Sequence, residues 1–263
     1  LPPKPAIIRP VGDRLLTPGY LPMDRNARRF AIRELVARKV ITREQAKHAM
    51  FLVLAVPSTP APVVSFVDSA VDAVNRTEYT FALDFGDAAA DRYLIATPSA
   101  RGATSGTISF VTIGGVSATQ IINTTALQQT LHNTAAIFIA AVPTGTSGDV
   151  VVTYADGKSR AGCGLFRVTG LSSATAHDTA ADNVEHSPLV DTINVLGGGF
   201  VIAVAVGEAT VIWAGVTESY DEAVEGGFRH SGGFDSELDA ETGRTISATI
   251  ASFPYILSAA SFR

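Results

Sequence analysis

A mainly β fold is what this sequence predicts: an antiparallel β-sandwich of jelly-roll type carrying an N-terminal extended and helical arm. Three observations predict it. About a dozen short runs rich in Val, Ile, Thr and aromatics follow one another after residue 62, separated by Gly, Asp, Asn or Pro. No helical pattern long enough for βαβ crossovers lies between them, which argues against a parallel sheet. The language of the chain also changes abruptly at Pro57–Pro62, a proline-rich linker. With 263 residues and 46% apolar content, the chain has material for a substantial core.

The division predicted is therefore an arm over 1–56, a linker over 57–62 and a β-sandwich domain over 63–263. Charge supports the split. Residues 1–56 carry eleven basic and four acidic side chains, a net +7, whereas 57–263 carry nine and twenty-one, a net −12. A basic arm is drawn to an acidic partner.

The arm opens with six prolines in residues 1–23, which suit neither helix nor central strand. Ile7, Ile8, Leu15 and Leu16 in the same segment suit an extended lead lying on a partner. Asp24 is placed to cap a first helix, with Ala27, Phe30, Ala31 and Leu35 along one side. Thr42 and Gln45 form a capping-box pattern ahead of Ala46, Ala49, Met50, Val53 and Leu54 at helical spacing. Two short helices could suggest a helix-turn-helix, but no recognition set of Arg, Asn and Gln is evident, so nucleic acid is not the expected partner. Arg9, Arg14, Arg28, Arg29 and Arg33 are the expected contacts of the arm with neighbouring proteins.

The predicted strands are Val63–Val67, Tyr79–Phe85, Tyr93–Ala96, Thr107–Ile113, Val116–Ile122, Ala135–Ala141, Val150–Tyr154, Gly162–Val168, Val190–Leu196, Phe200–Val206, Val211–Ala214, Thr245–Ala251 and Tyr255–Phe262. Gly114-Gly115 can supply the positive φ of a tight hairpin turn, and Gly197–Gly199 punctuates a second junction. Such spacing implies one two-sheet sandwich.

Chemistry is sparse. No phosphate loop, dinucleotide fingerprint or nucleophile elbow occurs; Gly102–Gly106 is a turn sequence. Cys163, the only cysteine, sits in an apolar setting that suits an inert buried thiol. His177, Asp178, Asp182, Glu185 and His186 have metal-ligand chemistry without metal-motif spacing, and read as a solvated loop; Asp178 and Asp182 could hold calcium. The acidic stretch from Glu218 to Glu241 has the carboxylates a glycosidase needs, but reads as an exposed projecting loop. Trp213, Tyr220, Phe228 and Phe234 cluster around it and are the candidate ligand platform. Sequons at Asn75 and Asn123 carry weight only in a secreted eukaryotic protein. No metal site, cofactor or catalytic set is expected. There is no run of eighteen apolar residues and no signal-like opening, so no membrane partner is expected either.

The stretches TISFVTIGGVSATQ, NTAAIFIAAVPTGTSGDVVVTYADG and FRVTGLSSATAHDTA, with the opening LPPKPAIIRP, resemble a recurrent domain in virion proteins of tailed phages and phage-like elements of alphaproteobacteria. The resemblance covers residues 1–10 loosely and about 63–263 more fully. It implies a non-enzymatic virion component of decoration, collar, fibre or spike type, assembled in the bacterial cytoplasm as a homo-oligomer with other virion proteins. Alternatives are an adhesin for a host cell-surface glycan and a polysaccharide hydrolase.

Overall fold

A computed structural model describes Thr42 and residues 60–263, apart from Gln129 and Pro254. The extended lead, both helices and the five arginines expected to make partner contacts lie outside the described residues. Pro60–Arg263 forms one compact unit.

Its strands run in chain order β1 (Val63–Asp72), β2 (Arg76–Asp84), β3 (Tyr93–Gly102), β4 (Ile108–Ile113), β5 (Val116–Ser117), β6 (Thr119–Gln128), β7 (Leu131–Ala141), β8 (Ser147–Lys158), β9 (Arg160–Thr169), β10 (Asp178–Asp182), β11 (Leu189–Val195), β12 (Gly199–Gly207), β13 (Val211–Ala214), β14 (Thr217–Val224), β15 (Phe228–Leu238), β16 (Glu241–Ile250) and β17 (Ile256–Phe262). Every pairing among them is antiparallel.

These strands make four sheets. Sheet A has the order β1-β9-β3-β7-β6, sheet B β2-β8-β4-β5, sheet C β10-β17-β12-β15-β14 and sheet D β11-β16-β13. Three apolar cores join them. Tyr79, Phe81, Val111, Val152, Leu94, Phe138 and Leu165 lie between B and A. Ile95, Ile137, Phe166, Phe200, Ile202, Val204 and Phe262 lie between A and C. Val201, Ala203, Leu189, Ile193, Ile246 and Ile250 lie between C and D. The layers therefore stack B, A, C, D.

Layer position explains strand composition. Outer strands have one wet face and alternate: β2, RTEYTFALD, buries Tyr79, Phe81 and Leu83 and exposes the residues between. Inner strands are covered on both faces and need apolar or small residues throughout. GFVIAVAVG of β12 is buried along its whole length, as is ILSAASF of β17.

The expected single two-sheet sandwich is thus corrected. Residues 63–169 build sheets A and B and residues 178–262 build C and D, and each pair encloses its own core. Three strands lie where loops were expected. β10 falls in the His/Asp-rich segment and pairs with β17; β14 and β15 form a hairpin within the acidic stretch. β10 and β14 are edge strands, and apart from the buried Asp182 the acidic residues of the three sit on half-buried or exposed positions, so composition there resembled a loop. The Gly114-Gly115 turn forms as expected, at φ 59° and 78°, between the pairs Ile113↔Val116 and Thr112↔Ser117.

Candidate functional site

Between sheets A and C, a cluster of polar side chains gathers at one flank of a largely apolar face, with Ser258 bonded to Thr124 and the Ala135 carbonyl on the other. Strand β3 supplies Thr97 and Ser99, both fully buried, on the face that also carries Ile95. The Thr97 Oγ1 lies 2.8 Å from the Tyr220 hydroxyl and donates to the Gly164 carbonyl at 3.1 Å. The Ser99 hydroxyl lies 2.7 Å from Nδ1 of His230. The Tyr220 and His230 rings lean together, centroids 4.7 Å apart.

Glycine makes this possible. A Cβ on Gly164 would sit 2.3 Å from the Tyr220 ring, and one on Gly162 2.7 Å from the imidazole. Strand β9 thereby leaves the volume that two large side chains of the opposing sheet occupy.

The electrostatics keep the cluster neutral. Burial pushes the His230 imidazole down from 6.5 to about 3, because a charged ring would be desolvated without a counter-ion. Its Nε2 is buried and has no hydrogen-bond partner. Burial likewise raises the Tyr220 phenol. Cys163, in the adjacent A–B core, is buried with its thiol pushed up to about 12, which agrees with an inert thiol.

A charged cluster closes one end of the same interface. Arg101, at the end of β3, donates from Nη2 to Glu208 Oε1 at 2.6 Å and to the Tyr255 hydroxyl at 2.9 Å. Tyr255 in turn donates to Glu208 at 2.6 Å, and its carbonyl accepts from Gln128 at 2.7 Å. Arg101 is 5% exposed, so its charge depends on Glu208 for compensation.

The structure relocates the residues expected to form a ligand platform. Tyr220 and Phe228 are buried, and Phe234 is half-buried against Phe166, all in the A–C core. Trp213 lies on β13, packs against the C–D core and donates from its indole to Ser231 Oγ at 2.9 Å. The four do not share one exposed face, because Tyr220, Phe228 and Phe234 on sheet C point into the A–C core while Trp213 on sheet D packs against the C–D core.

The other two candidates are largely committed to the backbone. Asp178 accepts from the amides of Thr179 and Asn194, and Asp182 from those of Val184 and Val190. His186 reaches Asp182 at 3.1 Å. Among the described residues no group of three or more His, Cys, Asp or Glu is placed to hold a metal. In the acidic hairpin, burial raises the Glu218 carboxyl, with repulsion from Asp221 second, while Asp221 itself is held by Arg229 at 2.9 Å.

Comparison with known proteins places the chain beside none of them. It matches no family model, no curated protein and no solved structure.

Sequence reading missed Thr97, Ser99, Arg101, Glu208, His230 and Tyr255. One signal was present. YLIATPSARG starts as a fully apolar strand and then carries polar residues at alternate positions, which marks a buried face that has found polar partners. A hydroxyl beside an imidazole has the makings of a nucleophile and its base. Here both are sealed between sheets, and what the pair does is fasten β3 to β15.

Proposed function

We propose that this chain is a structural component of a bacteriophage-type virion, a head decoration, collar, or fibre or spike protein. Its basic residues 1–56 anchor it and its acidic β unit projects. Each half of that unit is read as a jelly roll. The observation that carries the reading is strand order. Numbered within each half, with β5 and β6 counted together as the fifth strand, both halves run 1-8-3-6-5 in one sheet and 2-7-4 in the other, where β5 extends the row in the first half. The order 1-8-3-6 opposite 2-7-4 is that of two Greek keys sharing two sheets, an arrangement used by viral coat and lectin domains. The charge division of +7 against −12 adds an anchor attracted to acidic neighbours, copies of this chain among them. The resemblance of the β strands and the opening segment to tailed-phage virion proteins points the same way.

Immunogold labelling with antibody against 60–263 tests this on particles purified from the producing bacterium. Label at a fixed position on the particles is expected, and its loss when 1–56 are deleted. Protein found only in the soluble cell fraction, with unlabelled particles, would sink the reading.

A further inference from the structure

The two halves of the β unit correspond strand for strand. β1-β9-β3-β7-β6 of sheet A has the same order as β10-β17-β12-β15-β14 of sheet C, and β2-β8-β4 of B the same order as β11-β16-β13 of D. In the first half the fifth strand is divided: β5 pairs with β4 in sheet B, and β6 continues beside β7 in sheet A. The sequence retains traces of the correspondence. Tyr93-Leu94-Ile95-Ala96 opens the third strand of one half, and Phe200-Val201-Ile202-Ala203 follows the first residue of that of the other. Val111 to Val116, VTIGGV, matches Val211 to Val216, VIWAGV, and both Gly115 and Gly215 have positive φ at the turn.

The main contacts between halves follow the same symmetry. β1 lies against β14 and β15, β9 against β14 and β15, β3 against β12 and β15, β7 against β12 and β17, and β6 against β17 and β10. Strand one of each half thus faces strand five of the other, strand eight faces six, and strand three faces three. A two-fold axis running along the strands between β3 and β12 generates this pattern, which is that of an isologous dimer. The chain connection between the halves and the contacts of Arg263 obey it. Residues 170–177 carry the first half into the second, and at the same end Arg263 donates to the Pro60 carbonyl at 3.1 Å and accepts from the Ser172 amide at 2.8 Å.

We infer that the β unit is an internalised dimer: two copies of one eight-stranded unit fused in a chain, joined by a two-fold protein–protein interface whose partner is that second copy. Fusion has made the interface one-way. A residue on a two-fold axis meets its own copy in a homodimer, so a charged one is repelled. Arg101 and Glu208, each six residues beyond the equivalent Ile95 and Ile202, occupy that position and attract each other at 2.6 Å. Off the axis, Ser99 against His230 on one flank corresponds to Val206 and Ala135 on the other. Thr97, bonded to Tyr220, corresponds to Val204. The two flanks carry different hydrogen bonds, Thr97 with Tyr220 and Ser99 with His230 on one, and Ser258 to Thr124 and to the Ala135 carbonyl on the other, so neither half is complementary to itself.

The full chain with a protease site inserted between Ser172 and Ser173 tests this, both residues being exposed. After cleavage the two fragments are expected to co-elute one to one. Separated in mild denaturant and returned to buffer, each keeps its β circular dichroism, because each has its own core, and the two recombine with each other but not with themselves. Unfolding of either fragment on separation overturns the inference, and so does self-association of either as strong as the mixed pair. In the cleaved protein Glu208→Arg raises the dissociation constant about tenfold or more, and adding Arg101→Glu restores it to within about threefold. An unchanged constant in the single variant overturns the axial pairing. Should the single variant precipitate when cleaved, the melting temperatures of the uncleaved single and double variants decide: the double variant melting no higher than the single overturns it.

Discussion

At the scale of residues, the interface between sheets A and C depends on absences as much as on side chains. Gly164 and Gly162 leave the space that Tyr220 and His230 fill. Gly164→Ala forces a methyl group into the Tyr220 ring, and overpacking of this kind costs ~1–3 kcal/mol. Urea denaturation should show that loss. A double-mutant cycle with Tyr220→Ala should show it strongly non-additive, since removal of the ring removes the clash. His230 makes the same interface sensitive to acid. The folded protein holds the imidazole neutral down to about 3, whereas the unfolded chain takes up a proton near 6.5. The stability this contributes is complete above 6.5 and is lost progressively as pH falls toward about 3, at up to ~1.4 kcal/mol per pH unit. Urea midpoints measured from pH 7 to pH 4 should fall more steeply for wild type than for His230→Asn. Parallel curves would show that the imidazole is not kept neutral.

At the scale of elements, loops at one end of the first half are tied by a single side chain. Arg92, 1% exposed, donates to the carbonyls of Val142, Phe85, Gly86, Thr144 and Gly145 at 2.6–3.3 Å. It binds the connection from β2 to β3 to that from β7 to β8. The planar guanidinium presents five donors in a fixed fork, which an ammonium cannot reproduce. Arg92→Lys leaves buried carbonyls without donors, at ~1–3 kcal/mol each, and should destabilise the protein by about 3 kcal/mol in urea titrations. Much at this scale could be read from sequence. Outer strands such as β2 show their alternation, and the Gly114-Gly115 turn announces its hairpin. β14 and β15 could not be read, because Glu218, Asp221, Glu222 and Asp235 sit on half-buried or exposed strand positions and make the pair look like an exposed loop.

At the scale of the whole molecule, the four-layer stack ranks its strands by protection. β3, β7, β12 and β17 are covered on both faces, whereas β2, β11 and β13 belong to outer sheets. Hydrogen exchange followed by mass spectrometry should find the inner amides slowest and those of β11 and β13 markedly faster. Equal protection in inner and outer strands would mean that the halves open together rather than layer by layer.

The sequence by itself determined that the fold is β, where most strands lie, that Cys163 is buried, and that charge divides the chain. These follow from local periodicity, turn residues and composition, which act over a few residues. The tertiary structure alone decided that there are four sheets rather than two, that Trp213, Tyr220, Phe228 and Phe234 serve two cores instead of one surface, and that Arg101 meets Glu208. Each of these depends on which faces meet between sheets, for Arg101 and Glu208 across more than a hundred residues of chain. No local pattern encodes such a meeting, because the same strand suits an outer or an inner layer until its partner sheet is in place.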